Sequence, residues 1–376
     1  MMITLYIVAS AGVFLLEKKA YRKHFLSTII LIVGFAVLMG ANQTIADTYI
    51  YMKRYSESVN WSITNAQWAM SLFMHMCNLI GLTYMQFRIC FFIVGLSIIC
   101  YSVSKVTDNF YAFFIVYFLY TMVIDAAQIK NFMAMAIVSL AITYLTNPNT
   151  KNNIKYILLV FLAAGFQIKA YAYIPLVIFC NAAIKRKYRA LACIPVVLFA
   201  LLFSNRWTSR YLSNVLLSTI KGDLLERSGR FIAKSVNNGY LVYFLATILI
   251  IYITLKLKSQ VENSLSASEW EKKFSDVVFL CSIYSLTFVP LYFYAQDFSR
   301  LLRNFAVVNH MLFFLVIKCR KNDASMQGTT RRKLVIEKRA LINVVYAGYL
   351  LYMFYWDVAV YMDTVVTPFF RGNLYL

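Results

Sequence analysis

The chain has 376 residues, of which 61% are hydrophobic and 14% are charged. This composition excludes an ordinary soluble domain, in which about a quarter of the residues are charged. The net charge of +21 does not require a nucleic-acid partner, because Lys and Arg collect in the cytoplasmic loops of membrane proteins. Apolar runs near the roughly 20 residues that cross a bilayer recur along the whole chain. The sequence therefore predicts an all-α polytopic integral membrane protein with a single transmembrane domain, residues 1–376.

The apolar runs predict about ten transmembrane helices. The segment after the first run, Glu17–His24, is rich in Lys and Arg, which places it in the cytoplasm and the N-terminus outside. Alternation of sides then puts the C-terminus outside as well. The main loops are an external one at residues 204–239 and a cytoplasmic one at residues 318–339. The predicted spans are approximately Met2–Leu16, Phe25–Ala41, Phe87–Val103, Phe110–Ile124, Phe132–Leu145, Ala190–Phe203, Tyr240–Leu255, Phe274–Tyr294, Leu301–Ile317 and Ala340–Trp356.

Two further apolar segments do not fit a simple span. Ala69–Leu82 is short and interrupted by polar residues, so it predicts a helix lying on the outer face. Tyr156–Ala183 is split by Gln167 and Lys169 and has basic residues on both flanks. A single span would place one basic flank outside. A re-entrant hairpin of two short helices keeps both flanks inside and puts Gln167 and Lys169 at its tip, and we favour this interpretation.

The stretch Asp125–Phe132 brings a carboxylate, a cation and amides between two long apolar runs. A short turn between two spans would explain it. However, charges at the junction of two membrane-length segments are costly in hydrocarbon and are tolerated where the chain lines water or binds a ligand. Several other polar residues fall at the same predicted outer depth, which favours a functional site. These are Asp47, Tyr49 and Arg88, and the candidates within the stretch itself are Gln128 and Lys130.

Lys and Arg residues on the outer side are contrary to the usual enrichment of these residues in cytoplasmic loops, and they therefore need another explanation. The external loop carries six of them: Arg206, Arg210, Lys221, Arg227, Arg230 and Lys234. Arg presents a planar fork of donors that matches phosphate oxygens, which predicts an anionic ligand such as a lipid phosphate or pyrophosphate. Attraction to anionic headgroups, or pairing with nearby acids, is the alternative.

A second outer charge cluster is Asp297, Arg300 and Arg303, at three-residue steps that share a helix face. These residues are candidates for the same site. No metal or cofactor is predicted, since the seven Cys and three His show no ligand spacing.

The polar clusters resemble motifs of the EpsG/Wzy family of bacterial polysaccharide polymerases. Asp47-Thr48-Tyr49-Ile50-Tyr51 resembles its early motif, and Asp125–Ala134 resembles its motif at the head of a central span, with Lys130 where Arg is usual. Gln167 falls where the family usually has a His, which puts acid–base catalysis there in doubt. The remaining similar segments are Asp297–Arg300 with Arg303-Asn304, and the tail Thr367–Phe370.

The resemblance implies a polymerase of O-antigen, capsule or exopolysaccharide in the bacterial cytoplasmic (inner) membrane. It would join undecaprenyl-pyrophosphate-linked oligosaccharide repeat units by glycosyl transfer at the outer face, without a metal. A chain-length regulator and a flippase of the same pathway are the further partners implied. The catalytic candidates are Asp47, Lys130, Asp297 and Arg300, with either carboxylate as the base. The substrate-binding candidates are Tyr49, Arg88, Gln128, Gln167, Lys169, Arg206, Arg210, Arg227, Arg230 and Arg303.

Two alternatives remain open. A lipid-linked oligosaccharide flippase or other transporter would also need a cationic cavity, although its cations should extend through the depth of the membrane. A related membrane glycosyltransferase or ligase, which moves one sugar or a finished polymer, is poorly separated from a polymerase by these residues.

Overall fold

The computed structural model describes residues 24–42, 48–60, 67–183, 186–203, 211, 239–292, 298–326, 332–358 and 362–372. This part of the chain is helical between short turns and contains no β-strand. The first predicted span, Met2–Leu16, and nearly all of the external loop lie outside the described residues. The predicted all-α class is confirmed.

The helices follow the apolar runs closely. Those of five or more residues are, in chain order, His24–Gly40, Thr48–Ser56, Trp68–Leu79, Tyr84–Ser104, Phe110–Tyr117, Val123–Ala127, Ile129–Tyr144, Thr150–Phe166, Pro175–Ala183, Arg186–Phe203, Gly239–Glu262, Glu269–Tyr284, Ser299–Arg303, Ala306–Met326, Arg332–Asp357 and Thr367–Arg371. Short 3₁₀ or π segments continue several of them, notably Phe118–Met122 and Ile168–Tyr173.

Four stretches of the described chain are long and apolar enough to cross a bilayer: Tyr84–Ser104, Tyr240–Glu262, Glu269–Tyr292 and Ser299–Ser325. Several shorter apolar helices pack among them, including Ile129–Tyr144. The membrane-embedded character predicted from composition is therefore confirmed. The figure of about ten spans stays a prediction.

Charged side chains near one end of several long helices form ion pairs with one another. Lys258 lies 2.8 Å from Asp276, and Lys318 lies 3.0 Å from Glu271. Glu271 also completes a capping box with Ser268 at the start of its helix, which satisfies two backbone donors. These contacts define what we call the ion-pair end of the helices, the side predicted to be cytoplasmic. Lys258 and Lys318 at this end are each paired with an acidic side chain of the protein.

The helix Ile129–Tyr144, called here the central helix, is buried along almost its whole length. It packs closely on Tyr84–Ser104 because Gly95 has no side chain where the Phe132 ring lies. The Phe132 ring also sits 5.0 Å from the Phe92 ring, centroid to centroid. The central helix runs from the polar cluster described below towards the other end of the helices, where Thr143 contacts Lys105.

The predicted interruption at Gln167 is present. The helix Thr150–Phe166 ends there because Gln167 adopts an extended backbone, and Pro175 begins the next helix, a position that suits a residue without an N–H. Tyr156 donates a 2.7 Å hydrogen bond to the carbonyl of Tyr173. A straight helix would separate residues this far apart in sequence by about 25 Å, so the chain doubles back. Whether both flanks lie on one side of the membrane stays a prediction.

The predicted surface helix corresponds to the helix Trp68–Leu79, and its place on the outer face stays a prediction. It buries Met70 and Met74 against the protein and leaves Met76 and Leu79 exposed. The Asn78 side chain donates to the Tyr55 carbonyl at 2.9 Å. This polar residue, which interrupts the apolar run in the sequence, ties the surface helix to the helix Thr48–Ser56.

Candidate functional site

The site is built around a break in the chain at Gln128. Its backbone (φ −106°, ψ 57°) ends the helix Val123–Ala127 and leads into the central helix. A π-helical segment, Phe118–Met122, precedes the break, and such segments recur at functional sites because they re-aim the side chains that follow. Because the helix is broken here, the polar side chains of Asp125, Gln128 and Lys130 are not aligned along one continuous helix.

Two residues from the C-terminal third of the chain complete this break. Arg303, 4% exposed, donates a hydrogen bond to the Gln128 side-chain oxygen. The Asn131 amide donates to the Asn304 side-chain oxygen at 2.9 Å. Both bonds join segments more than 170 positions apart in the sequence. We call Gln128, Lys130, Asn131, Arg303 and Asn304 the polar cluster.

Lys130 connects the polar cluster to the N-terminal part of the chain. Its ammonium group donates to Gln67 Oε1 at 2.9 Å and lies 5.1 Å from the centre of the Tyr51 ring. Tyr51 is buried on the helix Thr48–Ser56. An amide oxygen and an aromatic face therefore help to position this cation.

The tip of the broken helical element reaches the same region. The Lys169 ammonium lies 4.5 Å from the centre of the Phe298 ring, directly before the helix Ser299–Arg303. Tyr173 donates a 2.7 Å hydrogen bond to the Leu301 carbonyl of that helix. The structure thus brings the predicted hairpin tip next to the helix that carries Arg300 and Arg303.

The Arg88 side chain donates hydrogen bonds to backbone carbonyls. It is 2% exposed and donates to the carbonyls of Met39 at 3.0 Å and Ala126 at 3.4 Å, and also to that of Asn42. These carbonyls lie at or just beyond helix ends, where they lack an intrahelical donor. The geometry favours a supporting role beneath the break, and direct contact of Arg88 with substrate stays a prediction.

A protein-family model described as the EpsG family matches residues 24–369. The chain belongs to the EpsG family. This family is associated with polysaccharide polymerases, and its members are membrane proteins of polysaccharide biosynthesis. No curated protein and no solved structure matches the chain significantly.

The match spans every element of the polar cluster in this EpsG-family protein, and it nearly reaches the end of the tail. Within that tail, the Pro368 carbonyl accepts a 3.0 Å hydrogen bond from the Asn42 side chain, and Phe369 is fully buried. The Asn42 backbone carbonyl accepts from Arg88, and Arg88 also donates to Ala126 just before the break. Asn42 and Arg88 therefore connect the tail to the break at Gln128.

The remaining predicted site residues fall into two groups. Tyr49 is 79% exposed, Arg300 is half-buried on the helix Ser299–Arg303, and Gln167 is buried where its helix ends. The others lie outside the described residues: Asp47, Arg206, Arg210, Arg227, Arg230 and Asp297. Their roles stay predictions.

Sequence reasoning assigned no role to several polar residues that the fold gathers here. Asn131 and Asn304 pair with each other, and each directly follows a cation in the sequence. That repeated cation–Asn pair was the available signal. Asp125 was noticed as a charge but given no function, and it is fully buried with Tyr117 donating to its Oδ2 at 2.9 Å.

Proposed function

We propose that this EpsG-family protein is a polysaccharide polymerase. It joins undecaprenyl-pyrophosphate-linked oligosaccharide repeat units by glycosyl transfer at the outer face of the cytoplasmic membrane. The membrane character and the family support the general class, and the arrangement of the polar cluster supports the type of reaction.

The observation that carries the proposal is the convergence of cations and amides at one end of the central helix. Lys130 and Arg303 come from distant segments, and Lys169 approaches through the tip of the broken element. The contacts that place these cations include the Gln67 and Gln128 amides and the rings of Tyr51 and Phe298. Cations that converge at one place suit an anion, such as the phosphates of a lipid-linked sugar.

Glycosyl transfer to a sugar hydroxyl requires two kinds of assistance. The bond between the anomeric carbon and the pyrophosphate oxygen breaks, and the leaving group takes the electron pair. Arg and Lys groups fixed beforehand stabilise the charge that develops on the phosphate. The acceptor hydroxyl oxygen bonds to the anomeric carbon, and its proton passes to a base.

Asp47 and Asp297 remain the candidates for this base. Asp47 directly precedes the helix Thr48–Ser56, whose Tyr51 lies against Lys130. Asp297 directly precedes Phe298, whose ring lies against Lys169. Both carboxylates therefore adjoin segments that contact the proposed site, and this placement supports either without distinguishing them.

Two lysines that are matched by acids bear on the flippase alternative. A flippase would use cations along a path through the membrane. In the described residues, Lys258 and Lys318 at the ion-pair end are already matched by Asp276 and Glu271. Their charges are committed to internal partners, so they do not extend the cationic region of the polar cluster across the membrane.

The test is polymer length in a deletion strain complemented with single variants. Lys130→Ala, Arg300→Ala and Arg210→Ala should each abolish long polymer while the membrane abundance stays normal, whereas Lys130→Arg should be tolerated because it keeps the charge. Lys53→Ala is the matched control, since Lys53 is exposed on the helix Thr48–Ser56 and, among the described residues, forms a 3.9 Å surface pair with Glu57, which contributes little.

Full-length polymer from all three alanine variants would refute the proposed leaving-group stabilisation. The deletion strain itself separates the two classes of function. Single lipid-linked repeat units that reach the cell surface without extension indicate a polymerase, and their accumulation on the cytoplasmic side indicates a flippase.

A further inference from the structure

The 3₁₀ segment at the predicted hairpin tip ends at backbone carbonyls that tyrosine side chains satisfy. In a 3₁₀ segment the Ala172 carbonyl would accept from the N–H three residues later, but that residue is Pro175, which has no N–H. The Tyr284 hydroxyl donates to this carbonyl at 2.7 Å instead. The Tyr156 hydroxyl donates to the next carbonyl, that of Tyr173, also at 2.7 Å. The end of the tip is therefore fixed by groups from neighbouring helices.

The Tyr173 side chain joins the tip to the helix Ser299–Arg303. Its hydroxyl donates to the Leu301 carbonyl at 2.7 Å, and both residues are buried. In a continuous α-helix this carbonyl would accept from the Phe305 N–H, which donates to the Leu302 carbonyl at 3.0 Å instead. One hydroxyl group thus satisfies a carbonyl at an irregular helix end and links two elements that are distant in sequence.

This link brings Lys169 to the proposed site. The Lys169 ammonium lies 4.5 Å from the centre of the Phe298 ring, directly before the helix Ser299–Arg303. That helix is in turn fixed to the central helix by the two long-range hydrogen bonds of the polar cluster. A continuous set of contacts therefore leads from the polar cluster to the tip, and the Tyr173 hydrogen bond is its last step.

We infer that Tyr173 is a positioning residue of the proposed site. Its hydroxyl group holds the tip where the Lys169 ammonium reaches the phosphates of the lipid-linked sugar on the same side as Arg303. Tyr173 itself does not contact the substrate, and it acts through Lys169. The inference rests on the proposed function, because the pyrophosphate leaving group is the ligand concerned.

The test compares purified full-length variants in detergent, with lipid-linked repeat units extracted from the deletion strain as substrate. Tyr173→Phe removes only the hydroxyl group. It should lower kcat by about 10- to 100-fold, because displacing a positioned group by about 1 Å has an effect of this size. KM should change by less than about 3-fold, since the charge on the leaving oxygen develops only in the transition state.

Inorganic pyrophosphate gives a second readout that does not depend on polymerisation. It should raise the melting temperature of the wild-type protein, because it binds the native state. Half-maximal protection should require about 10- to 100-fold more pyrophosphate in Lys169→Met, the value of a hydrogen bond to a charged group. Tyr173→Phe should require an intermediate concentration. In the Lys169→Met background Tyr173→Phe should add little, because both changes act through the same ammonium group.

Tyr352→Phe is the matched control. The Tyr352 hydroxyl also donates to a backbone carbonyl between two long helices, that of Val242 at 3.0 Å. Loss of the same atom there should leave kcat and the pyrophosphate concentration for half-maximal protection at their wild-type values. A lower melting temperature without pyrophosphate is allowed in either variant, since it reports packing alone.

Tyr284→Phe keeps the inference testable if Tyr173→Phe does not accumulate in the membrane. It removes the donor of the Ala172 carbonyl and should cause a smaller change of the same kind. Wild-type kcat and protection in the variant that folds would overturn the inference, as would fully additive losses with Lys169→Met or an equal loss in Tyr352→Phe.

The wild-type protein separates this inference from the proposed function. If pyrophosphate does not protect it, Lys169 binds no phosphate and the inference is overturned. If pyrophosphate protects it in the expected order of variants but the lipid-linked units are not extended, the proposed polymerase is refuted while the positioning role of Tyr173 is supported.

Discussion

Replacing Gly95 with Ala should push the central helix away from the helix Tyr84–Ser104. A Cβ atom at Gly95 would lie 2.6 Å from Cζ of Phe132 and closer still to Cε1. The Phe132 ring cannot swing aside freely, because it is fully buried and packs on Phe92. Forcing an extra methyl group into such a contact costs about 1–3 kcal/mol.

Gly34→Ala provides the matched control for this substitution. Gly34 also lies within a helix, and a Cβ atom there would meet nothing within 4 Å. Both substitutions gain about 1 kcal/mol of helix propensity, so their difference isolates the clash. The Gly95 variant should therefore be about 1–3 kcal/mol less stable than the Gly34 variant.

The measurement is thermal unfolding of purified protein in detergent, followed with a thiol-reactive fluorescent dye that reports exposure of the buried cysteines Cys77, Cys180, Cys281 and Cys319. The Gly95 variant should melt below wild type and the Gly34 variant at or above it. Phe132→Leu should partly rescue Gly95→Ala, because it removes the ring edge. Equal melting of the two glycine variants, with no coupling to Phe132, would refute the packing argument.

Two further predictions follow from the contacts around the site. Arg88→Met leaves buried backbone carbonyls without their donor, and each unsatisfied carbonyl costs about 1–3 kcal/mol. The membrane abundance and the melting temperature of this variant should therefore fall together. Normal abundance with loss of polymer would instead indicate that Arg88 binds the substrate. Cys180 and Cys281 are buried on the helices Pro175–Ala183 and Glu269–Tyr284, which pack against each other. A membrane-permeant oxidant should therefore link the two thiols. The chain is then cut at an engineered protease site between residues 263 and 268, and the disulfide should hold the two fragments together. Cys180→Ala should release the fragments.

The helices of this protein are largely determined by local sequence. Membrane-length apolar runs must form helices because hydrocarbon offers no partner for backbone N–H and C=O groups. The predicted runs Phe87–Val103 and Phe132–Leu145 accordingly appear as Tyr84–Ser104 and Ile129–Tyr144. The break at Gln167 was also visible, because a polar residue interrupts an apolar run there.

The importance of the segment from Asp125 to Phe132 could also be predicted, since charges between two apolar runs require compensation. What the sequence left open was the partner of each charge. Substrate binding by Arg88 stays a prediction, and the sequence did not show that its donors meet backbone carbonyls. A local sequence pattern indicates that a charged residue is present, but it does not identify the distant group that lies within 3 Å of that residue.

The sequence by itself determined the membrane class, most helix positions and the segments where polar chemistry concentrates. Only the tertiary structure decided that Asn131 meets Asn304, that Arg303 meets Gln128, and that Tyr117 holds Asp125. The physical reason is the range of the forces concerned. Hydrophobic burial and backbone hydrogen bonding act within a helix and leave a periodic record in the chain, whereas contacts across more than 170 residues depend on how the finished helices pack.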